Sequence, residues 1–378
     1  MPRLLMVHSS SDRYGSDVAC LRIAAEAVCA GWTVDVLLPS QGPLVDDLRG
    51  AGASVFVLDP IVLRRADLTG LHALTLPLRW GRLALGLRRF TRTRAAYDVV
   101  HSNCAPTLGG ALIALWSKAR HLWYVHEIFV SARQRRAFDA LLRRSADRVL
   151  ACSQAALQQF PAVVAAGLGQ VVHTGVEVPA GIAVQLPLED GVPVVVCVAR
   201  LNSWKGQDVL LDAAARVRAR GVEVRIELVG SVFREERQFE SRLRDQAEEL
   251  GMAGHVTFLG ERRDALEIVA RADIAVVPST RPEPFGMALV EAMALGRPVV
   301  ASAAGGPAEI VTDGVDGLLV RPGDAVALAD ALQRLIEDPA FARSLGLQAR
   351  ARAADFTSGS MTAQVLASYD DLLAKGPR

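Results

Sequence analysis

The chain has 378 residues, 51% of which are apolar, and its 42 basic and 41 acidic side chains leave a net charge of +1. This length predicts two domains, and the apolar fraction suffices for two hydrophobic cores. No stretch reaches the roughly 18 uninterrupted apolar residues that a membrane-spanning helix needs. The five cysteines are scattered without a Cys-x-x-Cys pair, which argues against a disulfide framework and a zinc site and favours a reducing compartment.

Charge is distributed unevenly between the two halves of the chain. Residues 1–180 contain 20 Lys and Arg against 13 Asp and Glu, whereas the remaining residues contain 22 against 28. Such asymmetry often indicates an anionic partner on the basic side. The apolar stretch in residues 1–8 is too short for a signal peptide and predicts a buried first strand. We expect a cytoplasmic protein and no nucleic-acid partner.

Strand and helix patterns alternate along the chain, which predicts an α/β fold with parallel sheets covered by helices on both faces. The first series of strands is predicted at residues 4–8, 33–38, 54–58, 99–102, 122–126, 149–152 and 171–173. Helices between them are predicted at residues 17–30, 106–118, 132–144 and 154–165. The Pro- and Gly-punctuated residues 175–193 follow, and we interpret them as a linker between domains.

A second alternating series follows the linker. Its strands are predicted at residues 194–198, 224–229, 256–259, 274–277 and 299–301. Its helices are predicted at residues 205–220, 234–250, 264–271, 286–295 and 325–336. The two series are similar architectures in tandem rather than short-period repeats. We therefore predict an N-terminal domain at residues 1–180, a C-terminal domain at residues 190–356 and a last helix at residues 360–374.

Polar residues follow two strands of the first series. The loop at residues 9–17 contains Tyr14 and Gly15 just before a helix that Ser16 or Asp17 could cap. Glycine lets a backbone approach a ligand closely, and Gly15 offers that freedom here. At the end of a later strand, Ser102 and Asn103 lie beside His101 and could contact a ligand.

His126 ends the apolar strand that is predicted at residues 122–126, and Glu127 follows it. Ligands of α/β sheets bind beyond the carboxyl ends of the strands, so we expect this histidine to face a ligand rather than the core. The alternative is a histidine that only satisfies a loop carbonyl group.

Residues 71–94 are rich in arginine and leucine. The arginines are Arg79, Arg82, Arg88, Arg89, Arg92 and Arg94. This pattern is compatible with a basic face on anionic lipid and equally with a covering helix whose arginines are solvated. Pro77 and Gly81 interrupt the pattern, which argues against one long helix. Peripheral contact with the inner membrane face through this basic domain therefore stays open.

Two cationic side chains follow the first strand of the second series. Arg200 comes just beyond residues 194–198, and Lys205 lies five residues later where a helix begins. Two cations that converge on a strand end can neutralise a pyrophosphate, and each charge-assisted bond contributes roughly 1.5–3 kcal/mol. The alternative is a solvated pair of surface charges.

Residues 281–291 are the most informative segment of the chain. Two carboxylates, Glu283 and Glu291, flank Pro284, and a helix is predicted from residue 286 onward. Glu283 is therefore expected on the loop and Glu291 on the second helical turn. Either carboxylate could accept hydrogen bonds from two vicinal hydroxyl groups.

The start of that helix is a candidate phosphate site. The amide groups of Gly286, Met287 and Ala288 precede the first intrahelical hydrogen bond and form a positive helix end. A diphosphate there would have one carboxylate before it and one beyond it. The segment thus predicts a nucleotide-sugar site.

These motifs resemble the donor-site signature of retaining GT-B glycosyltransferases of family four, also called glycosyl transferases group 1. The likeness continues in residues 294–300, 304–309 and 313–320, and it extends more faintly over the N-terminal half. The resemblance implies the GT-B fold: two tandem Rossmann-like domains with parallel sheets and an interdomain cleft, and a last helix that crosses back to the first domain.

The resemblance also implies roles for individual residues. Arg200 and Lys205 would hold the donor phosphates, Glu291 the ribose hydroxyls and Glu283 the hydroxyls of the transferred sugar. His126 would lie near the donor sugar and the acceptor. The expected donor-binding set is Gly15, Arg200, Lys205, Glu283, Phe285, Gly286, Met287, Ala288 and Glu291, the acceptor-side set is Tyr14, Ser102 and Asn103, and the catalytic set is His126, Glu283, Arg200 and Lys205.

The activity that the resemblance implies is retaining hexosyl transfer from a UDP- or GDP-sugar to a hydroxyl of a sugar or lipid-linked acceptor, as in glycan, glycolipid or polysaccharide biosynthesis. The nucleotide-sugar is a substrate, so we expect neither a cofactor nor a metal. Two alternatives stay open: a GT-B sugar-nucleotide epimerase and a non-catalytic nucleotide-sugar-binding protein.

Overall fold

The computed structural model describes residues 1–63, 70–182, 191–232 and 237–376. The chain divides into two compact units. The first unit consists of Met1–Gly175 and Ser358–Arg378, and the second unit is Val176–Thr357. Residues 183–190 of the linker that we predicted at 175–193 lie outside the described residues.

The first unit contains a seven-stranded parallel sheet in the order β3-β2-β1-β4-β5-β6-β7. The strands are β1 Arg3–His8, β2 Thr33–Leu38, β3 Ser54–Val57, β4 Val99–Asn103, β5 Arg120–Val125, β6 Arg148–Ala151 and β7 Gly169–Val171. The central strands are buried along nearly their whole length, because helices cover both faces of a parallel sheet.

The helices of the first unit before its last strand are α1 Gly15–Cys29, α2 Pro43–Gly50, α3 Gly70–Arg92, α4 Gly109–Ser117, α5 Ala132–Ser145, α6 Gln154–Gln158 and α7 Pro161–Ala165. The expected interruption of the third helix is wrong, since Pro77 lies inside α3 without ending it. The helix predicted at 154–165 is two helices, because Pro161 starts α7 at a position that needs no amide donor.

The second unit contains a six-stranded parallel sheet in the order β10-β9-β8-β11-β12-β13. The strands are β8 Val194–Val198, β9 Arg225–Val229, β10 Val256–Gly260, β11 Ile274–Val277, β12 Val299–Ser302 and β13 Leu318–Val320. The helices are α8 Gln207–Ala219, α9 Arg237–Glu249, α10 Ala265–Arg271, α11 Met287–Ala294, α12 Pro307–Ile310, α13 Ala325–Glu337 and α14 Pro339–Ala353.

The chain ends in a helix that packs on the first unit. This helix, α15, spans Ser358–Ala374. The Tyr369 hydroxyl lies 2.5 Å from His101 Nδ1, and the rings of Tyr369 and Trp32 are 5.3 Å apart. Burial lowers the pKa of His101 well below its usual value, so this histidine is neutral at ordinary pH.

The two α/β units confirm the predicted fold class of two Rossmann-like domains with parallel sheets. In each sheet the strand order reverses beside the first strand, between β1 and β4 and between β8 and β11. The carboxyl ends of strands at such a reversal form the usual ligand site of this architecture. No helix in the described ranges combines the length and apolarity that crossing a membrane requires.

Candidate functional site

Side-chain hydrogen bonds hold the loop between β8 and α8 in place. Asn202 is buried, and its Oδ1 accepts hydrogen bonds from the amides of Trp204 and Lys205 at 3.3 and 3.1 Å. Gln207 Nε2 donates to the Arg200 carbonyl at 3.0 Å. These bonds fix the backbone from which the Arg200 and Lys205 side chains project.

A second set of contacts joins this loop to the segment after β11. The Thr280 amide donates to the Trp204 carbonyl at 2.8 Å. Gly206 has a φ of +77°, and a Cβ atom there would lie 2.0 Å from the Pro278 carbonyl oxygen. Only glycine fits this close approach, which brings the loop of Lys205 against the loop of Glu283.

Lys205 and Glu283 form an ion pair where the two loops meet. Ser279 Oγ donates to the same carboxylate oxygen, Glu283 Oε1, at 2.6 Å. The Lys205 ammonium also lies 4.3 Å from the centroid of the Trp204 ring, within cation–π range. Glu283 is 5% exposed and Ser279 is 1% exposed. We call Lys205, Ser279 and Glu283 the charged cluster. Its serine is not among the residues that we predicted.

Two glycines support the backbone of Glu283. Gly305 bridges to it, and the Gly306 amide donates to the Glu283 carbonyl at 2.8 Å. Added Cβ atoms at Gly305 and Gly306 would lie 2.1 Å from the carbonyl oxygens of Glu283 and Phe285. The Gly-Gly pair is therefore needed to bring residues 303–306 against the charged cluster.

Helix α11 begins at Met287, one residue later than predicted, after Gly286 at a φ of +111°. Its first intrahelical hydrogen bond runs from the Leu289 amide to the Gly286 carbonyl at 3.0 Å. The amides of Gly286, Met287 and Ala288 precede that bond and form the positive helix end. Glu291 lies on the second turn, as the sequence predicted.

Phe285 has a packing role between the charged cluster and α11. It is 4% exposed, and its ring lies 5.8 Å from the ring of Phe356 in an edge-on arrangement. The backbone of Phe285, rather than its ring, therefore contributes to the loop that carries Glu283. Arg200 and Glu291 are half-buried on the neighbouring loop and helix.

In the first unit, His126 comes directly after β5 rather than ending it. Its Nε2 lies 3.2 Å from Asn103 Oδ1, and its ring is 4.1 Å from the ring of Tyr124. Burial, together with the nearby His8, lowers the pKa of His126 to about 3. His126 is therefore a neutral imidazole that donates one hydrogen bond and can accept another.

Asn103 and Ser102 are fully buried side chains. Asn103 Nδ2 donates to the Ser16 carbonyl at 3.1 Å, and it lies 3.0 Å from His8 Nδ1. Ser102 Oγ lies 3.0 Å from His121 Nε2. The structure therefore brings Asn103 into contact with His126, whereas Ser102 is joined to a different histidine.

The residue that precedes α1 differs from the cap that the sequence predicted. The helix begins at Gly15, and Asp17 lies inside its first turn, where Oδ2 accepts a hydrogen bond from the Tyr14 amide at 2.8 Å. The prediction of Ser16 or Asp17 as the residue before the helix is wrong. Asp17 stabilises the helix start from within, in the manner of the acidic half of a capping box.

Glu127 is a further charged group that our predictions did not assign to the site. Its carboxylate accepts hydrogen bonds from the amides of Ala105 and His126 at 3.2 and 3.1 Å. Burial raises its pKa above the usual value. By accepting hydrogen bonds from both amides, the Glu127 carboxylate orients the turn on which His126 lies. Within the described ranges, no group of three His, Cys, Asp or Glu side chains is arranged to hold a metal ion.

Both units match known families. Residues 14–179 match Glycosyltransferase Family 4, and residues 182–352 match Glycosyl transferases group 1. A D-inositol 3-phosphate glycosyltransferase of Corynebacterium aurimucosum is 29% identical over 97% of this chain and 93% of its own length. One of the same name from Nocardia farcinica is 37% identical over 50% of this chain. That match spans 43% of the Nocardia protein, less than half its length.

Solved structures are similar to this chain over nearly its whole length. Anabaena Alr3699/HepE in complex with UDP and glucose has a TM-score of 0.81 and 27% identity, over 98% of this chain and 100% of that chain. The lipopolysaccharide outer core galactosyltransferase WaaB has a TM-score of 0.75 at 17% identity, over 99% of each chain, and shows the fold alone.

Proposed function

The chain belongs to the GT-B glycosyltransferases of family four, the glycosyl transferases group 1, and we propose that it moves a hexosyl group from a UDP-sugar to an acceptor hydroxyl with retention of anomeric configuration. The charged cluster beside the amide end of α11 carries this proposal. It combines a cation for a diphosphate with a carboxylate for sugar hydroxyls. The UDP and glucose bound by HepE favour uracil as the base.

In this proposal the second unit, within residues 190–356, binds the donor. Lys205, Arg200 and the amides at the start of α11 hold the diphosphate. Glu291 accepts the ribose hydroxyls, and Glu283 accepts hydroxyls of the hexose. Each assignment pairs a negatively charged phosphate with a cation or helix end, and a hydroxyl with a carboxylate.

The proposed reaction takes place on one face of the sugar. The bond between the anomeric carbon and the diphosphate oxygen breaks, and the acceptor oxygen forms its bond to the same carbon from the same side. The acceptor proton passes to the leaving diphosphate. Negative charge grows on that diphosphate as the bond breaks, so Arg200 and Lys205 lower the barrier by stabilising it. These two cations supply the charge that a metal ion gives other transferases.

The first unit, within residues 1–180, is proposed to bind the acceptor. His126 is neutral and follows a strand end, so it can hydrogen-bond a sugar or acceptor hydroxyl without carrying charge. The excess of basic residues in this unit favours an acceptor that bears phosphate or is linked to a lipid. The relatives named for D-inositol 3-phosphate support an anionic acceptor.

We also propose that α3 contacts an anionic membrane surface. Leu78 and Leu85 are 73% and 68% exposed, and Arg82 and Arg89 are also exposed. Their spacing of four, three and four residues places all four on one helix face. A stripe that alternates leucine with arginine suits the boundary of headgroups and acyl chains.

Release of UDP tests the proposed activity. The protein is incubated with UDP-glucose and a panel of phosphate-bearing and lipid-linked polyols, and UDP is measured with and without each acceptor. A transferase releases UDP only with an acceptor and forms a larger product. An epimerase changes the sugar without any acceptor, and a binding protein leaves the donor intact. Either of those two outcomes would overturn the proposal.

A further inference from the structure

Four polar side chains of the first unit, three of them fully buried, form a continuous chain that ends at the half-buried His126. Asp17 Oδ1 lies 2.6 Å from His8 Nε2. His8 Nδ1 lies 3.0 Å from Asn103 Nδ2, and Asn103 Oδ1 lies 3.2 Å from His126 Nε2. The first three residues are between 0 and 1% exposed. We call Asp17, His8 and Asn103 the buried relay.

The Ser16 carbonyl fixes the orientation of the Asn103 amide. That carbonyl can only accept a hydrogen bond, and Asn103 Nδ2 lies 3.1 Å from it. The amide nitrogen of Asn103 therefore faces Ser16, and its oxygen faces His126. Because that oxygen can only accept, His126 must carry its proton on Nε2. A neutral His126 then has a lone pair on Nδ1.

His8 and Asp17 hold Asn103 in place from the other side. His8 Nδ1 lies 3.0 Å from both the side-chain nitrogen and the backbone oxygen of Asn103. Both contacts tie the His8 ring to Asn103. On the other side of the ring, Nε2 contacts Asp17, whose other oxygen accepts a hydrogen bond from the Tyr14 amide.

Stability of the fold alone does not explain this row of hydrogen-bonded polar side chains. A buried carboxylate and its partner lose their hydration, and replacing buried polar pairs with apolar residues is often neutral or stabilising. Here the chain joins β1, α1 and β4, whose ends meet where the sheet order reverses. Its one half-buried end is His126, at the adjoining end of β5.

We propose that Asp17, His8 and Asn103 are positioning residues that hold His126 as the neutral Nε2–H tautomer, so that its Nδ1 accepts a hydrogen bond from a hydroxyl of the sugar or the acceptor. This inference rests on the proposed function, in which His126 contacts a substrate. It assigns a role to three side chains that lie too deep to contact a substrate themselves.

The tautomer can be observed without any activity. Protein labelled with ¹⁵N-histidine is studied by NMR at pH 5 to 8 as wild type, Asn103→Leu and Asn103→Asp. The wild type is expected to show His126 neutral and protonated on Nε2 throughout. Asn103→Leu should lose that preference. Asn103→Asp keeps the side-chain shape but adds a charge, so it should bring protonation of His126 into this pH range.

Kinetics then connect the tautomer to transfer. Asn103→Leu and Asp17→Asn should lower kcat by at least about tenfold, the scale of one lost hydrogen bond to a reacting complex, with the KM for UDP-glucose changed less than twofold. His121→Asn is the matched control, because His121 is equally buried in the same sheet but contacts Ser102 and the Ser145 carbonyl. It should leave both the His126 signals and kcat unchanged.

Two results would overturn the inference: a wild-type His126 protonated on Nδ1, or an Asn103→Leu protein whose His126 tautomer and kcat both equal those of the wild type. A wild type that shows the Nε2–H tautomer but transfers no sugar would instead refute the proposed function. If Asn103→Leu does not fold, the same comparison is made with Asn103→Asp, in which an unchanged protonation of His126 contradicts the relay.

Discussion

Lys205 and Glu283 form an ion pair although they are 78 residues apart and follow different strands of the second sheet. Ser279 donates to the same oxygen of Glu283 that contacts the lysine. A diphosphate would therefore compete with Glu283 for Lys205. In the proposed site this competition couples binding of the diphosphate to binding of the hexose. When the diphosphate takes Lys205 from Glu283, the carboxylate becomes able to accept hydrogen bonds from the hexose hydroxyls.

The Glu283→Gln variant distinguishes binding of the diphosphate from transfer of the hexose. The amide cannot form an ion pair with Lys205, so the lysine binds a phosphate without first losing a partner. We expect the Kd of UDP to fall about three- to tenfold, which corresponds to roughly 1 kcal/mol, while sugar transfer falls at least about a hundredfold. Calorimetric titration with UDP and a transfer assay measure the two effects. Glu248→Gln, an exposed change on α9, is the control, and an unchanged or weaker UDP affinity in Glu283→Gln contradicts the competition.

Ser279→Ala tests the third member of the charged cluster. The substitution removes the hydroxyl that fixes Glu283 Oε1, so the carboxylate keeps its charge but loses its orientation. A lost bond to a charged group costs roughly 1.5–3 kcal/mol, and we expect kcat/KM to fall about tenfold or more with UDP affinity nearly unchanged. Ser368→Ala removes a buried serine of the first unit and controls for stability. Full activity in Ser279→Ala would show that Glu283 needs no such support.

The stability of the fold should depend on pH through His101. Burial keeps its folded pKa well below the value of about 6.5 that an unfolded chain has. The unfolded state therefore binds a proton that the folded state does not, and stability is lost as pH falls below about 6.5. The loss is up to about 1.4 kcal/mol per pH unit for this one group. Urea unfolding at pH 7.5, 6.5 and 5.5 should show a smaller decline in His101→Gln than in wild type, and equal declines would contradict it.

Contact of α3 with membranes is tested by sedimentation with vesicles. Wild type should sediment with phosphatidylglycerol vesicles at low salt and stay in solution with phosphatidylcholine vesicles. Arg82→Glu with Arg89→Glu should abolish the sedimentation, because anionic lipid attracts each basic residue by about 1 kcal/mol. Leu347→Ser, which changes an equally exposed leucine of the second unit, is the control. Equal sedimentation of wild type and the Arg82/Arg89 variant would exclude this surface.

Sequence patterns located several candidate residues at the ends of single elements, where the structure has them. Arg200, Lys205 and Glu291 were predicted by their distance from a buried strand or a helix start, and periodicity alone gave twelve of the strands in approximate position. The missing strand, β13, has only three residues, which is too short for an alternating pattern. The α2 and α14 helices were also not predicted, although both begin at a proline.

Contacts between distant segments could not be read from sequence. Lys205 meets Glu283 only because β11 ends beside the loop after β8, and no spacing rule connects two charged residues on different loops. Ser279 lies only four residues before Glu283, but a lone serine in a loop carries no signal that it orients a carboxylate. Asn103 was predicted as a residue that could contact an acceptor, whereas the fold buries it at the end of β4, between β1 and β5. Asp17 was predicted as a helix cap, and its contact with His8 depends on how the β1–α1 loop folds back on the end of β1, which no local pattern shows.

Calorimetric titration of UDP-glucose into wild type, Lys205→Ala and Lys375→Ala measures whether Lys205 holds the donor diphosphate in the second unit. Lys375, an exposed lysine of the first unit, is the control. We expect one site per chain in the wild type, the same Kd in Lys375→Ala, and a Kd at least about tenfold higher in Lys205→Ala, since the lost charge-assisted bond contributes roughly 1.5–3 kcal/mol. Equal affinity in Lys205→Ala and wild type, or no binding by the wild type, would contradict the account.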